Sequence, residues 1–552
     1  MTSTTHARRL PALLLSLSLL LPVAAPAFAF GVPALLKDIK VGAASSSPAS
    51  FLRIGGKLVF FADDGASGIE PWVSDGTPGG TFLLRDVWPG ASGSFNPSCA
   101  VCNAVAVGNT VFFIANDGSG LSTLWKTDGT TAGTVNVAPG VGASSVGKVG
   151  SIVFFAGQYG LVWKSDGTAA GTVMVSGTYM LGSEIAEMNG VAYYPGADNF
   201  SGYELWKSDG TEAGTVRVKD LNPGSPDGLP SLLTNIGGTL YFSASNGTAA
   251  GFYKSDGTAA GTVLVKQVGM QGFAGLDRRQ IVSLNGTIYL IASDPAHGFE
   301  LWKSDGTTAG TVMVKDIYPG VGAGLAGSAL VVAGNTLFFK AGDDTHGYEL
   351  WKSDGTAAGT VMVKDIFPSI SGSIPADLAD VNGTLFFSAM SSYAAGTQPW
   401  TSDGTEAGTV QLASVYPANN SAPKSFTAVG ANIFFSANNG TNGVELWSML
   451  GGTLDAGPGA PLTHPTIALA QNEPNPVRST TRIAWTLPSD ERVVLRLFDA
   501  SGRLARTLLD GDQSAGAHQL ELDAKGLRGG VYFYQLQTGS QLHQRKMVVL
   551  PR

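Results

Sequence analysis

The eighteen residues ELWKSDGTAAGTVMVKDI at 349–366 recur almost unchanged at 300–317 (ELWKSDGTTAGTVMVKDI) and at 204–221 (ELWKSDGTEAGTVRVKDL). A chain that repeats itself this closely folds as a series of like units. Each must bury its apolar surface against the next, because one such unit is too small to hold a core alone. Aligned on the aromatic residue of ELW, the repeat positions are Trp72, Trp125, Trp163, Trp206, Tyr253, Trp302, Trp351, Trp400 and Trp447. Their successive spacings of 53, 38, 43, 47, 49, 49, 49 and 47 residues define nine units, numbered one to nine below. Eight of the nine keep the full DGTxxGT tail.

Each unit contains four short extended stretches. In unit seven these are ALVVAG (329–334), TLFFKAG (336–342), YELWKS (348–353) and TVMVKDI (360–366), separated by Gly-rich turns. No helical periodicity of useful length precedes residue 450. Runs such as LFF and VMV are apolar on both faces, which predicts strands packed between two neighbouring sheets. Four antiparallel strands per 40–50 residues in tandem predict an all-β fold, a β-propeller of about nine four-stranded blades. Eight is the alternative if the short third unit merges with a neighbour. A parallel β-helix fits less well, since its coils are shorter and lack hairpin turns. The tryptophan is expected to pack between blades, and Asp-Gly pairs such as Asp305-Gly306 and Asp354-Gly355 to make hairpin turns. The ends of the array predict closure. PALLKDIKVG (33–42) matches VMVKDIYPG with no ELW before it, whereas unit nine (VELWSML, 444–450) lacks that last strand.

On these residues the array resembles the ELWxxDGTxxGT repeat, also called hyalin-like, of exported bacterial proteins; the resemblance covers 33 to about 452. The departures are Glu-Pro before Trp72, Gln-Pro before Trp400, Tyr253 for Trp and the truncated unit nine. The family carries no assigned catalytic residues, so the resemblance transfers none.

The two ends of the chain differ from the array. Residues 1–29 join a basic start (MTSTTHARRL), an apolar core and the small-x-small site Ala27-Phe28-Ala29. This predicts a cleaved secretory signal. No other apolar run approaches the length of a membrane helix. After the expected array (30–452), residues 453–468 are expected to form a Gly/Pro linker. Six alternating stretches then predict a small β-sandwich over 469–552. Its landmarks are Pro474-Asn475-Pro476, LFDASGRLART, GLRGGVYFYQL and the terminal KMVVL. In these it resembles the FlgD-like immunoglobulin domain and the similar C-terminal sorting domain of type IX secretion. That resemblance implies delivery to, or retention at, the outside of the envelope, with secretion machinery as a partner.

Little chemistry is legible. The net charge is −8 and no basic cluster could track phosphates, which argues against nucleic acid. Cys99 and Cys102 are too few for a zinc site; a local disulfide in a surface loop is expected, ahead of inert thiols or a redox-active pair. Gly322, Gly324 and Gly327 formally match GxGxxG but precede a strand and read as a turn. His297 and His346 occupy equivalent hairpin tips and are expected to be solvated. Asp64, Asp117, Asp198, Asp294 and Asp344 lie in glycine-containing hairpin loops before ELW, where oxygen ligands could hold calcium, although tight turns also favour Asp. No other cofactor is implied. The sequence therefore predicts an exported, non-enzymatic scaffold for adhesion or binding of an extracellular ligand, glycan or protein. An extracellular propeller enzyme acting on glycans, a hydrolase or lyase, is the alternative.

Overall fold

The computed structural model describes residues 30–95, 104–182, 184–198, 200–270, 279–325, 327–417, 419–451, 468–469, 472, 474–487, 491–499, 503–513, 516–538 and 541–550. The expected signal segment, the Cys99/Cys102 pair and nearly all of the expected linker lie outside them. Among the described residues the protein is all-β, built of antiparallel, mostly four-stranded sheets in a propeller-like series. Unit seven is typical, with strands Val331–Ala333, Thr336–Asp343, Gly347–Ser353 and Val361–Lys364 hydrogen-bonded in chain order. The first strand of each unit lies against the first strands of the units before and after it. In the same way Ala49–Ile54 of unit one lies against Lys424–Val429 of unit nine.

Burial explains the second and third strands. Leu337, Phe338 and Phe339 are essentially inaccessible, as are Leu385, Phe386 and Phe387 one unit later. Alternate side chains of one strand therefore enter different cores. Ile291, Leu301, Phe339 and Trp351 share a core between units six and seven, while Phe338, Leu350, Phe387 and Trp400 share the next. Each repeat tryptophan, and Tyr253, thus packs against the unit before its own. For Trp72 the unit before is unit nine, through Val429, Phe434 and Leu446. Trp163 of the short third unit is the least covered of the set. The fourth strand departs from expectation. It is the outer edge, so VMV is not covered on both faces: Val363 is buried while Val361 is exposed, and Val314 and Val312 repeat the pattern.

The DGT turns are built alike. Asp354 accepts hydrogen bonds from the Thr356 N–H and hydroxyl, both at 2.8 Å, while Ser353 and Thr360 pair at 2.7 Å across the hairpin. Gly355 has φ +86°, a conformation costly for any residue with a Cβ, which accounts for the invariant Asp-Gly of these turns. Asp305 makes the same contacts with Thr307, and Gly306 has φ +82°. Lysines then fasten several of these turns to the preceding unit. Lys303 and Lys352 donate to the carbonyls of Gly355 and Gly404, and Lys315 and Lys364 to those of Thr360 and Thr409.

Unit nine takes its outer strand from the start of the described chain. Ala34–Lys37 pairs antiparallel with Val444–Leu450, setting Lys37 opposite Leu446 as Lys364 is set opposite Leu350. Lys37 reaches the Thr81 carbonyl of unit one, repeating the contact of Lys315 and Lys364. Units three and four break the pattern, because their strands form one continuous eight-stranded sheet.

The C-terminal unit has two sheets. One holds Ala468–Leu469, Thr480–Leu487 and Gly516–Asp523; the other holds Leu504–Gln513, Glu491–Asp499, Gly530–Thr538 and Gln541–Val549. Ile483, Trp485 and Leu522 from the first share a core with Val493, Leu495, Tyr534 and Met547 from the second. Asn475 accepts from the Val548 N–H at 2.9 Å, fixing the Pro-Asn-Pro segment on the last strand.

Candidate functional site

Most polar side chains of the array serve its architecture. The glutamate of ELW is fully buried in five units, as Glu70, Glu204, Glu300, Glu349 and Glu445. Glu300 accepts from the backbone N–H groups of Ile317, Tyr318 and Gly324 at 2.9–3.1 Å, tying the end of one unit to the approach of the next. Burial pushes Glu70, Glu204 and Glu300 up to about 7, against the pull of those donors. Asp86, Asp220, Asp316 and Asp365 follow their glutamates by sixteen residues, and Asp38 stands in for unit nine. Units with Thr123, Leu161, Gly251 or Gln398 in the glutamate position carry no aspartate sixteen residues on. Gln398 shows why the position tolerates exchange: its amide nitrogen faces the carbonyls of Ala395, Tyr416 and Asn419, acceptors where a glutamate would place its second oxygen, while its Oε1 accepts from the Ser421 hydroxyl.

The loop aspartates are turn builders. Asp64 caps the N–H groups of Ala66 and Ser67, Asp117 that of Ser119, and Asp294 those of Ala296 and His297. Asp344 lies exposed in its turn. With Asp198 these candidates occupy the corresponding loops of different units, and among the described residues no three His, Cys, Asp or Glu side chains gather as metal ligands. His297 and His346 are not freely solvated. Each ring Nδ1 bonds the aspartate three residues earlier, Asp294 at 2.8 Å and Asp343 at 2.9 Å, and the Asp343 bond holds His346 above its ordinary value.

Among the described residues, the seam where units three and four join also holds a cavity. In unit three the outer strand, Val173–Met180, runs to eight residues, against four in unit seven. Its far end pairs with the second strand of unit four, Tyr179 opposite Ala197 and Met180 opposite Gly196. Beside this junction a cavity of about 490 Å³ is lined by Tyr159, Tyr179, Tyr203, Asp198, Asp227, Ser201 and Ser225, with Ala197 and Gly202. The floor is tight at Gly202, where a Cβ would fall 2.5 Å from the Pro226 carbonyl oxygen.

Both carboxylates are positioned by backbone. One Asp198 oxygen accepts from the N–H groups of Phe200 and Ser201 at 2.8 Å and from the Ser201 hydroxyl at 2.9 Å. Desolvation pushes Asp198 up, but these donors and the charge of Arg217 together outweigh it and hold the carboxyl below its usual value. One Asp227 oxygen accepts from the Tyr203 N–H at 2.8 Å. Tyr159 stands at the rim, 81% exposed, with φ 62° and ψ 15° in a one-turn 3-10 segment, Gln158–Gly160. Among the described residues eleven other non-glycine residues have positive φ, at three recurring repeat positions: the set of Ser47, Leu229, Ile374 and Ala422, the residues three places after each, and the Asn-Gly turns. Tyr159 belongs to none of these. Of the residues here only Asp198 was singled out by sequence; the signals available for the others were the 38-residue spacing of unit three and its short GQYG loop.

Comparison with known proteins bears on the C-terminal unit. Residues 474–550 match the secretion system C-terminal sorting domain. A sorting domain marks its chain for secretion and for placement at the outer surface, which implies contact with the secretion machinery. Among the described residues no helix is long and apolar enough to cross a membrane. No curated protein matches the chain. Among solved structures, the computationally designed Ika8 protein is 14% identical over 73% of this chain and 97% of its own, with a TM-score of 0.38. A prolyl endopeptidase is 10% identical over 71% of this chain and 54% of its own, at 0.39. PorZ, a surface component of the type-IX secretion system of Porphyromonas gingivalis, is 13% identical over 91% and 75%, at 0.27. Likenesses at such scores carry no weight for the array.

Proposed function

We propose that the protein is an exported, non-enzymatic binding scaffold. In this reading nine units of the ELWxxDGTxxGT type form a propeller closed by Ala34–Lys37. The sorting domain, immunoglobulin-like in the FlgD manner, delivers or attaches it at the cell surface, and the ring engages an extracellular ligand at the seam of units three and four. The observation that carries the reading is that, among the described residues, the seam where two units merge into one eight-stranded sheet coincides with a cavity of aromatic and acidic side chains. Rigid identical units supply a platform, and a departure from identity is where selectivity can reside.

Binding fits the electrostatics better than turnover. A general acid at neutral pH needs a raised pKa, whereas Asp198 is held low. Among the described residues the cavity lining includes no histidine, cysteine or lysine. Two carboxylates facing one cavity are what a glycan hydrolase or lyase would require, and this keeps that second reading testable. The mature chain, incubated with soluble extracellular polysaccharides and proteins, is expected to retain a ligand without releasing product, and Tyr159→Ala to weaken retention. Product release that is abolished by Asp198→Asn or Asp227→Asn would establish the enzyme instead.

A further inference from the structure

We infer that the seam cavity is a subsite for a neutral sugar residue of an extracellular glycan, an inference that rests on the binding role proposed above. A pyranose has an apolar C–H face and a rim of hydroxyl donors, and the cavity answers both. Tyr159 is the most exposed tyrosine among the large hydrophobic side chains of the described protein. It projects from a backbone conformation that non-glycine residues avoid and that, among the described residues, recurs at this position in no other unit. Strain of this kind persists where the surroundings enforce it, and it clusters at ligand contacts. An aromatic face held at a cavity rim is suited to stacking on a ring.

The carboxylates supply the other half. A carboxylate is an acceptor only, and Asp198 and Asp227 each present one to the cavity. One Asp198 oxygen is held by two backbone N–H groups and the Ser201 hydroxyl and one Asp227 oxygen by the Tyr203 N–H, while the second oxygen of each makes no hydrogen bond to the described residues. Two positioned acceptors with free lone pairs match vicinal hydroxyl donors, and hydrogen bonds to charged acceptors are the stronger kind. The same lining sets the selectivity. Among the described residues it contains no lysine, arginine or histidine, and Arg217, whose charge reaches Asp198, is already paired with Asp220 at 3.4 Å, so sulfated and uronic-acid sugars meet an excess of negative charge. The cavity volume of about 490 Å³ lies within the range of roughly 300–1,000 Å³ for small-molecule sites.

The test uses the mature full-length chain on an immobilised panel of neutral oligosaccharides of glucose, galactose, mannose and N-acetylglucosamine, beside sulfated and uronic-acid oligosaccharides and an ammonium-bearing peptide. At least one neutral oligosaccharide is expected to bind with an affinity unchanged by added salt. Tyr159→Ala and Asp227→Asn should each weaken it about tenfold or more, a loss of about 1.4 kcal/mol. Asn retains an acceptor for the Tyr203 N–H, and Tyr159 is exposed, so both variants test the site with the fold kept. Binding confined to anionic sugars, to the peptide in a salt-sensitive manner, or to nothing on the panel overturns the sugar assignment. If a non-carbohydrate ligand is lost on Tyr159→Ala, the sugar assignment falls and the binding role stands. If a neutral glycan binds equally well to both variants, the seam is not the site and both readings fall.

Discussion

Glu300 sits at the balance between burial and hydrogen bonding. Water exclusion favours its neutral form and three backbone donors favour its charge, and burial wins, as it does for Glu70 and Glu204. Their folded values, about 7, exceed the 4.5 of an unfolded chain, so the folded state holds more protons between those values. Their contribution is greatest below about 4.5 and is lost as pH rises to about 7. In the opposite direction, Asp128, Asp166, Asp305 and Asp354, held low chiefly by threonine hydroxyls, lose theirs under stronger acid. The melting temperature is therefore expected to be higher near pH 5.5 than near pH 8; a curve that is flat or rising across that interval contradicts the assignment. Trp302→Ala should cost about 3–5 kcal/mol in denaturant unfolding, since the indole fills the core between units five and six. Tyr159→Gly should leave the melting temperature unchanged or higher while it removes ligand binding, because glycine takes the left-handed conformation freely. The repeat tryptophans and the Asp-Gly turns were legible in the sequence because local chemistry dictates them. Tyr159 was not, because its role depends on which strands of two units meet.

Strand Ala34–Lys37 is the element most exposed to a clean test. It covers the edge of Val444–Leu450, and Ile39 and Ser46 just beyond it donate their N–H groups to buried Glu445 at 2.9 Å. Deleting residues 30–40 should expose that edge and strip Glu445 of a donor, which lowers the melting temperature or provokes aggregation. A deletion variant that melts like the intact chain contradicts closure through this strand. The strand was readable from KDIK without a preceding ELW, since the motif carries its own register. The one-sided burial of the other outer strands was not readable, because VMV is equally apolar at a central or an edge position. The eight-stranded seam was hidden for a related reason: pairing between units three and four is a tertiary event that leaves only a short spacing in the sequence.

At the scale of the molecule, the array and the C-terminal unit have separate cores, and Leu469, Trp485 and Val549 belong to the latter alone. Residues 469–552 should accordingly fold by themselves with a cooperative melt. The landmarks of that unit were legible because Pro-Asn-Pro and the final strand meet through Asn475, whereas nothing in its sequence names the ligand of the array. The C-terminal unit is proposed as an address, and the array as the cargo that it places outside the cell. Cells of the native host expressing the full chain and a chain ending at residue 468 should be separated into periplasm, outer surface and medium, and the protein quantified in each. The full chain is expected at the surface or in the medium and the shortened chain in the periplasm; shortened chain reaching the outside in the same amount as the full chain would show that the C-terminal unit is not the address.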